Sequence, residues 1–134
     1  LVAVLIAGIA SMVVGFIWYG PLFGKQWIFL MKLDEKKLKE MKTSATKAYF
    51  YSFIGTLIMA YVLAHASVFS AYYFSEMTKL TAYLMTAFWS WLGFVMVVQA
   101  GSVLFEDKPI KLFLLNTGYQ LVSLLVMGIV LALM

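Results

Sequence analysis

The sequence predicts an all-α membrane protein with four transmembrane helices and a cytoplasmic amphipathic segment. Apolar residues make up 64% of the 134 residues and charged residues 12%, whereas a soluble domain is about 45–50% apolar and about 25% charged. A soluble domain of this size hides only about two-thirds of its unfolded surface. The charges are also confined to three short regions. Together these observations indicate that lipid surrounds most of the chain.

The predicted spans of this single domain lack Asp, Glu, Lys and Arg: 1–24, 48–75, 80–105 and 112–134. A helix needs about 20 apolar residues to cross a bilayer core of roughly 30 Å. Backbone groups in lipid must be paired within their own segment, so these stretches have to be helical. We expect the first to be a retained helix, because its lysines follow the apolar run, whereas those of a signal peptide precede it.

Lysine placement predicts the orientation of the chain. The connections 25–47 and 106–111 lie on one side of the membrane and carry nine lysines, against one lysine in 76–79. The positive-inside rule places the lysine-rich side in the cytoplasm. We therefore expect a protein of the inner or plasma membrane with both termini outside.

The connection 25–47 is predicted to be amphipathic. At 100° per residue, Trp27, Leu30, Met31, Leu38 and Met41 share one face. Asp34 is the expected N-cap of a helix. We expect the segment to lie on the inner membrane surface and its opposite face to attract anionic lipid headgroups through Lys32, Lys36 and Lys39. A solvated loop whose charges only set the orientation is the alternative.

Neutral polar residues within the spans collect in the predicted cytoplasmic half. They are expected to form a polar layer that joins the helices: Ser52, Thr56, Gln99, Asn116 and Gln120. Such side chains in membranes usually hydrogen-bond between helices. A small vestibule for a solute is the alternative.

Composition disfavours several functional classes. Cysteine is absent, histidine occurs once, and all ten basic residues are lysine, so we expect no metal site, catalytic site or cofactor. No acid or lysine lies within a span, which argues against an ion-coupled pump. Without arginine or a groove-reading fold, nucleic acid is not an expected partner. His65 is interpreted as a polar anchor, with a ligand or proton site as the alternative.

Small residues at helical spacing predict a packing face on the first span. Ala3, Ala7, Ser11 and Gly15 recur every four residues, and Gly20 and Gly24 continue the series around Pro21, which is expected to kink or end the helix. This ladder serves either the internal bundle or a partner chain. Six identities between 51–64 and 119–132 raise the hypothesis of two duplicated helical hairpins, although apolar composition inflates such matches.

Three segments resemble domain-of-unknown-function family 1761: WYGPLFGKQW at 18–27, AYVLAH at 60–65 and KLFLLNTGYQLVS at 111–123. The resemblance implies a small four-helix integral membrane protein and supplies no activity, substrate or cofactor. The motif positions, which carry no assigned role, are Trp18, Tyr19, Pro21, Gly24, Trp27, His65, Asn116, Tyr119 and Gln120.

These features lead to two functional hypotheses. The first is a non-enzymatic protein that acts through helix packing, as a homo-oligomer or as an accessory subunit with other integral membrane proteins. The second is a small channel or carrier for a neutral or weakly charged solute that uses the polar layer. Membrane lipids are expected partners in either case.

Overall fold

A computed structural model describes residues 2–32 and 34–134, apart from the side chains of 42–44. All regular elements in these ranges are helical: α1 (Val2–Ile17), a first π-helical segment (Trp18–Leu22), α2 (Gly24–Met31), α3 (Glu35–Tyr73), α4 (Lys79–Ser90), a second π-helical segment (Trp91–Met96), α5 (Val97–Phe105) and α6 (Ile110–Leu133).

Four helical stretches are long and apolar enough to cross a membrane: Val2–Leu22, Ala45–Tyr73, Lys79–Phe105 and Ile110–Leu133. The prediction of four helices able to cross a membrane is confirmed, and the predicted limits differ from these by a few residues. Leu1, the predicted start of the first span, lies outside the described residues.

The four spans form a bundle in which α6 is the most buried element. Helix α6 packs against α1 and α4, and α3 packs against the same two helices from the other side. Within its most apolar stretch, 39% of the residues of α6 are buried, against none in the corresponding stretch of the third span. The fourth span is therefore the centre of the bundle and the third lies at its edge.

The core lies in the half of the bundle away from the lysine-rich connections. Met127 of α6 is fully buried there, among Ala7 of α1, Ala60 of α3 and Ala87 of α4, which are themselves fully buried. Small side chains let the helices approach closely, which matters because lipid gives apolar side chains no hydrophobic reason to leave it. Helices α4 and α6 approach closely at Gly128, where a Cβ would lie 3.3 Å from the backbone oxygen of Tyr83.

The small-residue ladder of the first span faces α6. Ala7 and Ser11 are buried, and the Ser11 hydroxyl hydrogen-bonds the Ser123 hydroxyl. A Cβ on Gly15 would lie 3.1 Å from the Tyr119 hydroxyl oxygen. Ala3 packs at the edge of the core. This face therefore serves the internal bundle.

The extension of the ladder to Gly20 and Gly24 does not serve the internal bundle. Gly20 is exposed, and a Cβ built there meets nothing within 4 Å. A Cβ on Gly24 would lie 2.7 Å from the backbone oxygen of Tyr19, within the same bend. Gly24 is needed for the local turn, and neither glycine contacts another span.

Pro21 ends the first span, as predicted, through a widened helical turn. Proline has no N–H for the regular α-helical bond, and the N–H of Phe23 instead donates to the backbone oxygen of Trp18 at 2.9 Å. This bond between residues five apart defines the π-helical segment. After Phe23 the chain turns into α2, which packs against α6.

The predicted amphipathic segment 25–47 is divided between two helices. Helix α2 ends at Lys32, whose backbone is left-handed with φ 56°, and Asp34 caps a new helix by accepting the Lys37 N–H at 2.8 Å. The cap was correctly predicted. Helix α3 then runs unbroken for 39 residues, about 58 Å at 1.5 Å per residue, so Lys36 and Lys39 lie on an extension of the second span.

We expect Gly128→Leu to lower the free energy of unfolding by about 1–3 kcal/mol, the usual cost of overpacking. The added side chain has no room between α6 and α4. Unfolding in detergent micelles measures the change. Gly55→Leu is the matched control, because a Cβ at Gly55 meets nothing within 4 Å; equal losses in both variants would contradict the described packing.

Candidate functional site

The second π-helical segment prepares a site between the third and fourth spans. A π-helical turn holds one residue more than an α-helical turn and so redirects the faces of the helix that follows. Trp91, its first residue, donates its indole N–H to the backbone oxygen of Thr117 at 2.7 Å. The segment is thereby fixed to α6, and α5 continues beside the first half of α6.

Two helix faces supply the polar groups. On α5, Gln99 and Ser102 lie one turn apart, and the Ser102 hydroxyl donates to the backbone oxygen of Gln99 at 2.8 Å. On α6, Asn116 and Gln120 are four residues apart and so share a face. Gly101 has no side chain to fill the space between the helices.

These faces line an open cavity of about 620 Å³ between α5 and α6, called here the polar cavity. Gln99, Asn116 and Gln120 line it, and Tyr19 and Tyr119 form part of its wall. Glu106, in the connection that follows α5, also lines it, so the cavity reaches the lysine-rich end of the bundle. A ligand pocket commonly measures about 300–1,000 Å³, so this volume can hold a small molecule.

Tyr19 holds Asn116 in place. Its hydroxyl donates to Asn116 Oδ1 at 2.7 Å, and its ring lies edge-on to Trp27 and Tyr119, with centroids 5.8 Å and 5.2 Å away. Because the amide oxygen of Asn116 accepts this bond, its NH₂ group remains to donate to an occupant of the cavity.

Gln99 and Gln120 complete the polar surface with unpaired amides. Neither side chain makes a hydrogen bond to a residue that the structure describes. Moving an amide from water into an apolar medium without a partner costs roughly 1–3 kcal/mol by protein mutational data. Both side chains are only half-buried, so their amide groups are free to bond to water or to a polar solute in the cavity.

The predicted polar layer is divided in two. Gln99, Asn116 and Gln120 are together, as predicted. Ser52 instead lines a second cavity, of about 360 Å³, between α1 and α3. Tyr19 and Tyr119 line both cavities and lie at their boundary.

Thr56 lines neither cavity. It is buried, and its hydroxyl donates to the backbone oxygen of Ser52 at 2.8 Å. Its inclusion in the shared layer is therefore wrong, because a threonine on a helix can satisfy its hydroxyl with the carbonyl four residues earlier.

His65 contacts its own helix. Its Nδ1 donates to the backbone oxygen of Tyr61 at 2.9 Å, and its ring lies against the Tyr61 ring. The side chain is exposed and far along α3 from the polar cavity. Within 2–32 and 34–134, no group of three or more His, Asp or Glu residues could hold a metal ion.

Two tryptophan contacts escaped the sequence analysis. Trp18 donates its indole N–H to the backbone oxygen of Leu115 at 3.0 Å, as Trp91 does to that of Thr117. Gly118 makes room for the first of them, since a Cβ there would lie 3.2 Å from the Trp18 ring. The family resemblance includes Trp18 but does not indicate its partner. The only feature of the sequence that could have indicated this contact is the glycine at position 118, which leaves room for the Trp18 ring.

We expect Gln120→Cys to react with a charged, membrane-impermeant thiol reagent, because thiolates form and react in water and Gln120 lines the cavity. Val97→Cys is the matched control. Val97 is exposed on the outer surface of α5. It lies nine residues before Glu106, and Gln120 lies nine residues after Lys111, so the two positions have similar depth. Labelling is measured by mass in inverted membranes. No labelling at position 120 would show that the cavity is dry, and equal labelling of the two cysteines would contradict a difference in water access between the cavity and the outer surface of α5.

Comparison with known proteins gives a family and no activity. No curated protein and no solved structure matches the chain. A family model described as protein of unknown function (DUF1761) matches residues 2–132, which include both faces of the polar cavity and all of the segments that carry the resemblance. The chain belongs to this family.

Proposed function

We propose that the protein is a small carrier or channel that binds a neutral or weakly charged polar solute in the polar cavity. The observation that supports this proposal is the set of three amides, on Gln99, Asn116 and Gln120, that face one cavity and retain unused hydrogen-bonding groups. No lysine lines this cavity among the described residues. Recognition would therefore rest on hydrogen bonds and on aromatic surface.

The solute class follows from the lining of the cavity. Amide groups both donate and accept hydrogen bonds, which suits hydroxyl, amide or urea groups. Tyr19 and Tyr119 offer ring surface to an apolar part of the same molecule. Glu106 at the lysine-rich end tolerates a weak positive charge on the solute better than a negative one. The proposal assigns no chemical step to the protein.

We expect Asn116→Leu and Gln120→Leu each to reduce solute flux between about 3-fold and 20-fold, the equivalent of a membrane hydrogen bond of roughly 0.6–1.7 kcal/mol. Flux is measured by light scattering of proteoliposomes exposed to glycerol, urea or erythritol. Thr56→Val is the matched control, because it removes a buried hydroxyl that lines neither cavity. No flux above empty liposomes for any of the three solutes, or equal loss in the control, would overturn the proposal.

A second candidate is that the protein is a homo-oligomeric or accessory membrane subunit. The third span supports it, because its most apolar stretch has no buried residue and Phe94 in its π-helical segment is 76% exposed. Next to it, Gly93 leaves space for another helix. The small-residue ladder no longer supports this candidate, since it faces α6. Crosslinking through Gly93→Cys in native membranes that yields only monomer would contradict it.

We further propose that 25–47 and 106–111 face the cytoplasm and that both termini face outward. Nine lysines in these two connections support this sidedness. We expect an impermeant thiol reagent outside intact cells to label Ser75→Cys, beside the 76–79 turn, but not Lys108→Cys. The reverse pattern would contradict the orientation.

The duplication of two hairpins remains a hypothesis. Both π-helical segments begin with Trp-x-Gly, at Trp18 and at Trp91, which supports a relation between the first and third spans. The first and third spans also share a Gly-Phe pair, at 15–16 and at 93–94, but in a register different from that of the two Trp-x-Gly motifs. A measured structure in which the two hairpins superimpose in neither register would rule the duplication out.

A further inference from the structure

At the lysine-rich end of the bundle, on the side of α6 away from the polar cavity, a groove combines apolar walls with positive charge. It has a volume of about 730 Å³ and lies between α2 and the first turns of α6. Lys25 and Gln26 contribute from α2, and Lys111 contributes from α6. None of the described residues that line it is acidic. We refer to it as the cationic groove.

The walls of the cationic groove are apolar and open to the surroundings. Phe29 of α2 is 80% exposed and Leu114 of α6 is 59% exposed. The ring of Trp18 forms part of the wall, with its indole N–H already used by Leu115. A ligand that fills the groove therefore needs an apolar part to cover these side chains and an anionic part to meet the two lysines.

The helix ends add to the positive charge. Lys25 and Lys111 each follow the first residue of their helix, and neither α2 nor α6 has an acid in its first turn. A helix N-terminus carries a partial positive charge that disfavours lysine. Lys25 and Lys111 therefore both line the groove without an acid in the first turn of either helix. An anionic group between them would supply the missing negative charge.

We propose that the cationic groove binds one anionic phospholipid, with its phosphate at Lys25 and Lys111 and an acyl chain along Phe29 and Leu114. Charge complementarity argues for the anionic headgroup. The apolar walls argue for a lipid over free phosphate, which would leave them uncovered. This site is separate from the polar cavity and from Lys32, Lys36 and Lys39, and does not depend on the proposed transport function.

Native mass spectrometry of the full chain, released from detergent, tests the site with phosphatidylglycerol and phosphatidylcholine of equal chain length. We expect tighter retention of phosphatidylglycerol. The variant K25Q/K111Q should weaken it by about 25-fold, because each lysine near an anionic headgroup contributes roughly 5-fold in affinity. Excess inorganic phosphate should not displace the lipid.

Two further variants separate a built site from diffuse attraction. K37Q/K47Q removes the same charge from exposed positions on α3 and should leave phosphatidylglycerol binding unchanged. Leu114→Trp keeps both groove lysines but fills the groove, and should weaken binding. Equal retention of the two lipids, an equal loss in K37Q/K47Q, or unchanged binding in both groove variants would overturn the proposal.

Discussion

Hydrogen bonds that end on α6 determine how the other spans are placed. The four side-chain hydrogen bonds between helices in the described residues all have one end on this helix: Ser11 with Ser123, Trp18 with Leu115, Tyr19 with Asn116, and Trp91 with Thr117. In lipid no water competes for these groups, and each bond is worth around 0.6 kcal/mol. The central position of α6 follows from these bonds together with the close packing at Met127 and Gly128.

The two π-helical segments explain why the polar cavity and the cationic groove both lie at the lysine-rich end of the bundle. Each begins with a tryptophan whose indole N–H donates to a backbone oxygen of α6. The first segment turns the chain into α2, which forms one wall of the cationic groove. The second redirects α5, which forms one wall of the polar cavity. Two deviations from regular helix thus place two chemically different sites on either side of α6.

The spans could be predicted because uncharged length and backbone pairing in lipid leave few alternatives. Helical periodicity also predicted that Asn116 and Gln120 share a face, and the resemblance was correct because WYGPLFG and NTGYQLVS are specific. The inward direction of the ladder was left open, since spacing identifies a face without identifying what covers it.

Other features depend on tertiary contacts and could not be read from a local pattern. The left-handed backbone at Lys32 divides 25–47 into two helices, although lysine gives no signal for that conformation. Thr56 was placed in the polar layer by depth, but its hydroxyl bonds within its own helix. The second π-helical segment contains no proline, so its position depends on the contact of Trp91 with α6.

The most direct test of the central role of α6 is disulfide formation in the double variant Ser11→Cys/Ser123→Cys, in native membranes. The chain has no other cysteine, so mild oxidation should give an intramolecular crosslink that changes gel mobility at the mass of one chain. The pair Ser11→Cys/Gly93→Cys, on helices that are not packed together, should not form it. Disulfide-linked dimers of the Ser11/Ser123 variant without the intramolecular form, or no crosslink at all, would contradict the account.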